Sequence, residues 1–219
     1  MDTSTVVPGL DAYAIGRLTR VHQLNMEVTD GNSWVARAFG SDLLAHVTAT
    51  MQQLFYESEV PGLQSRPSDL MVYYAGHDIN ICEPPPQPPR TISAAVPLSS
   101  MCLRADFLRV LLGLSWLTES WNSNQSPPGG MLRFELLRGP PDSANQPFYV
   151  KAYFESQSMD QQRQASSLDA TNPPDRSFVA IPGCAGGPEN SCPFGDFKAL
   201  ALRAVDQECV VSVPAEALR

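Results

Sequence analysis

DLMVYYAGHDINI, residues 69 to 81, runs an unbroken apolar and aromatic stretch, Leu70 to Tyr74, into the turn Gly76-His77-Asp78. The run has no polar alternation, the pattern of a central strand covered on both faces in a mostly parallel sheet flanked by helices. In such sheets ligands bind beyond the carboxyl ends of the strands. Gly76 lets the backbone turn sharply and approach a ligand, His77 offers a hydrogen bond or a positive charge to an anion, and Asp78 exchanges a proton. A helix starting just after the turn would add free N–H groups. Together these features suit phosphate handling. The tripeptide alone also fits a satisfied histidine beside an aspartate that caps the next helix.

Composition bounds the function classes. The chain has 219 residues, a net charge of −8 and 17% charged residues, and no run of lysines or arginines stands out, which argues against nucleic-acid or membrane-surface binding. No stretch approaches the roughly 20 apolar residues of a membrane span. The opening MDTSTVVPGLDAY has neither the basic nor the apolar region of a signal peptide.

Outward from the central run, Leu10 to Met26 reads as a helix with Ala14, Leu18 and Val21 on one side and His22 beside that stripe. Ser41 is a candidate cap for a second helix with an apolar face of Leu43, Leu44, Val47, Met51, Leu54 and Phe55, broken by Pro61 to Pro67. Asp106 is a candidate cap for a short helix through Leu114. Met131 to Leu137 and Phe148 to Phe154 read as a strand pair joined by the turn-rich GPPDSANQP. Phe178 to Ile181 reads as a further strand, and Phe194, Phe197, Leu200 and Ala204 give a last helix one apolar face.

The blocks occur in a recognisable order: VHQLNMEV from Val21, WVARAFGSDLL from Trp34, YYAGHDINI, LLGLSW from Leu111, PPGGMLRFELLR from Pro127, FYVKAYFESQSMDQQR from Phe148, IPGC from Ile181 and CPFGDF from Cys192. This series resembles the C-terminal half of the histidine acid phosphatases, especially the branch containing bacterial periplasmic phytases and glucose-1-phosphatases. The resemblance covers most of residues 12 to 210. It implies an α/β fold, an incomplete histidine-phosphatase, phosphoglycerate-mutase-like three-layer sandwich with a mostly parallel sheet. It also implies hydrolysis of phosphate monoesters in two steps. A histidine attacks phosphorus to give a phosphohistidine while an aspartate protonates the leaving alcohol, and water then cleaves the intermediate. Asp78 matches the proton donor, His77 the phosphate-binding histidine and His22 a substrate-pocket histidine of phytase-like members. Read locally, His22 equally fits a core-edge histidine with a nearby hydrogen bond. The substrate implied is a phosphorylated small molecule such as a sugar or inositol phosphate, with no cofactor and no metal.

Two departures limit that implication. The family's nucleophile lies in an Arg-His-Gly-x-Arg-x-Pro motif, whereas the three histidines here follow Val21, Ala45 and Gly76. Without the nucleophile and its arginines the chain is expected to be nearly inactive alone. It is also expected to be poorly stable, because a parallel core strand beside an empty slot exposes backbone groups and apolar surface. The alternatives are a non-catalytic, phosphatase-derived binding or interaction protein and an active complex with a separate N-terminal half. The second departure is Phe39, which stands where phytases carry a further basic residue, two positions beyond Arg37. That weakens the case for a highly charged substrate, and Arg37 itself fits a surface or ion-pair role.

The resemblance pairs Cys184 and Cys192, which bracket AGGPENS, in a short disulfide. It leaves Cys209 unpaired, since its family partner lies in the missing half. With no second Cys/His pair nearby, a zinc site at these cysteines is not expected. An oxidising, extracytoplasmic compartment is implied for the intact family member. Cys82 and Cys102 fall in an insertion of about 82 to 107, rich in proline and without periodicity, expected to be disordered. It is either a genuine lid or interaction loop or a retained intron or gene-model error. The second reading is preferred, because a long break after the turn would remove the following helix N-terminus from the phosphate.

Overall fold

The structure, a computed structural model, describes residues 17, 18, 20, 21, 24, 25, 27, 28, 31–74, 105–139, 147–184 and 186–214. Strand β1 (Met131–Arg138) pairs antiparallel with β2 (Phe148–Ser156), from Met131 opposite Glu155 to Arg138 opposite Phe148. β2 pairs antiparallel on its other edge with β3 (Asp175–Val179) and with the short β4 (Cys192–Pro193). The strand pair and the later strand expected from the sequence are therefore present. The mostly parallel sheet is not, because every pairing among the described residues is antiparallel. The connection 139–147 fits a hairpin and is shorter than the roughly dozen residues that a parallel crossover needs.

Alternation along β2 sets the two faces of the sheet. Val150, Ala152 and Phe154 are fully buried, whereas Lys151, Tyr153 and Glu155 point to the other side. Helices cover the first face. Helix α1 (Ser33–Tyr56) contributes Leu43, Leu44, Val47 and Met51 to the core, and Phe55 sets its ring 4.8 Å from that of Phe148. Helix α2 (Ala105–Leu112) adds Leu108 and Leu112, and Trp116 just beyond it stacks on Phe154 with ring centroids 4.5 Å apart. A single turn, α3 (Met159–Arg163), is closed by a capping box between Ser158 and Gln161. Helix α4 (Phe194–Ala204) buries Phe194, Phe197 and Ala201, the face expected for it, with Leu200 and Ala204 partly buried.

The opposite face of the sheet carries charge. Arg133 and Arg176 each meet both Glu135 and Glu155, and the Arg176 guanidinium lies 3.7 Å from the Tyr153 ring centroid. Crossed pairs of this kind supply both signs at fixed register positions. Being partly exposed, each contributes at most about 1 kcal/mol.

Several elements depart from the sequence expectation. Helix α1 starts at Ser33, where Asn32 accepts the Trp34 N–H at 2.9 Å, and not at Ser41, which lies inside it. Gly40 does not end the helix, because α2 presses on it there. A Cβ at position 40 would come within 2.7 Å of Phe107 and 2.9 Å of Leu111. The run Leu70 to Tyr74 belongs to no strand ladder among the described residues, with Leu70 in a bend, and Leu70, Met71 and Tyr73 are 103%, 82% and 68% exposed. Its apolar composition marks it as suited to burial, yet no described element supplies a partner. Before α1, the described residues from Arg17 to Val28 are helical, past the expected end at Met26, and Leu18 and Val21 are exposed. Ala14 lies outside the described residues, as does the insertion through residue 104. Phe107, its expected last residue, is a buried part of α2. Among the described residues no helix is long and apolar enough to cross a membrane.

Phe154→Ala is expected to lose about 3–5 kcal/mol of stability, because it removes the ring under Trp116 from a fully buried position. Arg176→Ala is expected to lose no more than about 1 kcal/mol. Urea unfolding of the two variants checks the contrast.

Candidate functional site

Tyr74 leads into residues 75 to 80, where the candidate turn lies. Its side chain is fixed by α1: the Tyr74 hydroxyl and Thr50 Oγ1 share a hydrogen bond of 2.7 Å, and the His46 ring meets the Tyr74 ring edge-on at 5.5 Å. Along the run, Val72 and Tyr74 turn inward while Met71 and Tyr73 turn outward. Burial pushes the Tyr74 hydroxyl pKa up, partly offset by the Thr50 hydrogen bond.

The same stretch of α1 holds the C-terminal segment. His46 Nδ1 lies 3.1 Å from Ser212 Oγ. Asp42 Oδ1 accepts from the backbone N–H groups of Val211 and Ser212, both at 2.8 Å, and Ser41 Oγ accepts from the Asp206 N–H at 2.7 Å. Gly62, at φ +91°, packs so close to the Ser212 carbonyl that a side chain there would collide with it. Serine, histidine and aspartate thus come together, but not as a relay. Asp42 accepts from backbone amides and not from the imidazole, so it does not hold the ring as the acid of a relay does. Burial holds the His46 pKa below its ordinary value, opposed by the nearby Asp42 carboxylate. A buried neutral imidazole suits a fastener better than an anion ligand.

A cleft of about 400 Å³ lies beside Gln53 and residues 59–66. Gln53 bridges its wall, donating to the Ser65 carbonyl at 2.8 Å and accepting from the Val60 N–H at 2.9 Å. These bonds tie the loop to α1, and Glu59 and Arg66 are the charged residues that line the cleft.

His22, His77 and Asp78, the residues singled out from the sequence, lie outside the described residues. Cys184 and Cys192 form the expected disulfide, closing the loop before α4. Cys209 has no disulfide partner among the described residues, and burial together with Asp206 and Glu208 pushes its thiol pKa up. Arg37 is exposed, as expected. The sequence reading missed His46, Asp42 and Thr50. Their signal was spacing: Asp42, His46 and Thr50 recur every four residues, a polar seam down one helix face.

No protein-family model and no curated protein matches the chain. Solved structures do. Hafnia alvei phytase in its apo form matches with a TM-score of 0.69 at 22% identity, over 92% of this chain and 42% of that one. The fold is that of part of a phytase. The phytase from Citrobacter braakii matches with a TM-score of 0.68 at 20% identity, over 92% of this chain and 44% of that one. Klebsiella sp. ASR1 phytase matches with a TM-score of 0.61 at 24% identity, over 96% and 43%. The Hafnia alvei phytase has also been solved with myo-inositol hexakis sulphate and with tartrate. The chain therefore spans less than half the length of the phytases it matches. The phosphatase-like fold inferred from the order of sequence blocks and this likeness agree.

His46 generates a pH prediction. Its pKa is lower folded than the ordinary value of about 6.5, so below that pH the unfolded chain takes up a proton that the folded chain refuses. Stability then falls as pH drops from about 6.5 toward the folded-state pKa. In His46→Gln, thermal unfolding between pH 7.5 and 5 is expected to lose part of this slope. An unchanged slope would assign the acid sensitivity to other groups.

Proposed function

We propose that this chain is the C-terminal part of a histidine acid phosphatase that hydrolyses phosphate monoesters. The observation that carries the reading is the phytase-like fold of the described residues, with the Gly76-His77-Asp78 turn following the anchored Tyr74 in sequence. Within this reading, His77 binds the phosphate and His22 lines the substrate pocket. Asp78 holds a proton at its carboxyl group and passes it to the leaving alkoxide as the P–O bond breaks. The nucleophile is the histidine of the missing Arg-His-Gly-x-Arg-x-Pro block, and its new bond to phosphorus replaces the bond to the alcohol. Water then attacks phosphorus, returns the free histidine and releases inorganic phosphate, with Asp78 accepting the proton. A nearby phosphate charge favours the protonated form of Asp78, as an acid catalyst requires.

The Hafnia alvei complex with myo-inositol hexakis sulphate supports an anionic, phosphate-like small molecule as the ligand class. Phe39, at the position where phytases carry a basic residue, supports a substrate less highly charged than inositol hexakisphosphate. The intact enzyme is read as extracytoplasmic, in keeping with the Cys184–Cys192 disulfide.

The test is acid-pH hydrolysis of an aryl phosphate by the chain alone and by the chain joined to a segment carrying the nucleophile block. The chain alone is expected to stay near background and the joined form to turn over. Asp78→Asn in the joined form is expected to lower kcat by about 100-fold or more. Turnover that survives Asp78→Asn would remove the proton-donor assignment. Phosphate binding without turnover in the joined form would favour a binding protein.

A further inference from the structure

His46 is 5% exposed and lies where three segments meet. Its Nδ1 is 3.1 Å from Ser212 Oγ, its ring meets the Tyr74 ring at 5.5 Å, and Asp42, one turn earlier on α1, acts on it as a nearby negative charge. That carboxylate is already engaged, because its Oδ1 accepts the N–H groups of both Val211 and Ser212. Asp42 also stands four residues before His46 on the same helix, the spacing and order in which an acid and a base pair well. One carboxylate therefore has two uses open to it, and they exclude each other. The other titratable groups on the surrounding elements are occupied or uncharged. Asp206 accepts the Glu208 N–H within its own segment, Asp106 and Arg109 of α2 pair at 3.5 Å, and Glu59 and Arg66 line the cleft. The Tyr74 hydroxyl is taken up by Thr50, and the Cys209 thiol is held neutral.

We propose that Asp42 and His46 form an acid-operated latch on residues 210–213: when His46 takes up a proton, Asp42 leaves the Val211 and Ser212 amides to pair with the imidazolium, and the segment lifts from α1. A charge at so buried a position needs a partner or water. Of the groups that cover His46, this segment yields most readily, since Val211 is 84% exposed and only Val213, at 6%, enters the core. Burial holds the closed-state imidazole below its ordinary pKa, so the open state takes the proton. Opening is then favoured as pH falls below about 6.5, and the latch stays closed above it. Lifting also frees Gly62, which packs on the Ser212 carbonyl, and removes Ser212 from the ring that flanks Tyr74. The proposal does not rest on hydrolysis, because release of the segment is read without substrate.

Amide hydrogen exchange of the purified chain at pH 7.5 and pH 5, expressed as protection relative to the unstructured rate at each pH, tests it. Both values lie above the ordinary carboxylate range of about 4. The Val211 and Ser212 amides are expected to lose about tenfold of their protection at pH 5 while β1, β2 and β3 keep theirs. In His46→Gln the protection of these two amides is expected to be the same at both pH values. Asp42→Asn keeps an acceptor for the amides but offers the imidazolium no charge, so the loss is expected to move to lower pH. If His46→Gln does not fold, as judged by the protection of β1 to β3, the Asp42→Asn result decides. The proposal is overturned if the two amides keep their protection at pH 5, or lose it only together with the sheet. A loss that persists in folded His46→Gln, or that does not move in Asp42→Asn, overturns it equally.

Discussion

Because Val150, Ala152 and Phe154 are fully buried at alternate positions of β2, whatever covers them must lie on one side of the sheet and be apolar along its length. Helices α1 and α4 meet that demand, and Trp116 closes it over Phe154. The intervening residues of β2 are left facing away, where Glu155 and the flanking Arg133, Glu135 and Arg176 form their crossed ion pairs. A slip of one residue would put Glu155 into the core and Phe154 among the charges. The register of β1, β2 and β3 is thus fixed from both faces at once.

Helix α1 has a second task, carried by its polar residues. Ser41, His46, Thr50 and Gln53 are all buried, and each reaches a different segment: the Asp206 amide, Ser212, Tyr74 and the loop around Val60 and Ser65. A buried polar group without a partner costs about 1–3 kcal/mol, so each of these contacts discriminates strongly against a displaced segment. The apolar face of α1 makes the core, and its polar seam orders the chain around it. Protonation of His46 would place a charge at the centre of that seam, beside Tyr74 and Ser212, with Asp42 the nearby carboxylate.

How much of this was legible depended on whether a signal was local. The β1–β2 hairpin was, because two apolar runs flank a turn-rich connection, and so was the buried face of α4, from the spacing of Phe194 and Phe197. The start of α1 was misread because Ser41 is as good a cap in sequence as Asn32. Only the packing of Phe107 and Leu111 against Gly40 shows why a glycine inside the helix is tolerated. The parallel sheet was misread for a related reason: an unbroken apolar run reveals that a segment is suited to burial, not which strand is to lie beside it. The turn residues His77 and Asp78 were named from chemistry and from the order of blocks, and the structure adds the anchoring of Tyr74 just ahead of them. No pattern in Asp42 or His46 alone announced their long-range partners, which lie more than 160 residues away in sequence.

The strength of the exposed edge bears on how the rest of the fold is held. Full burial of Leu70 and Met71 would gain about 1.5–3 kcal/mol each, and each backbone hydrogen bond along the run about 0.5–1.5 kcal/mol net. Association of a separate chain costs about 4–15 kcal/mol in lost freedom. A strand laid on Leu70–Tyr74 and nothing else would therefore be held weakly in trans, although the same strand would be held well when covalently joined. The antiparallel sheet and its helices, by contrast, bury their own core and satisfy their own register. Tyr74 marks the change from covered to exposed along this run: its hydroxyl is fixed by α1 while its neighbour Tyr73 faces outward.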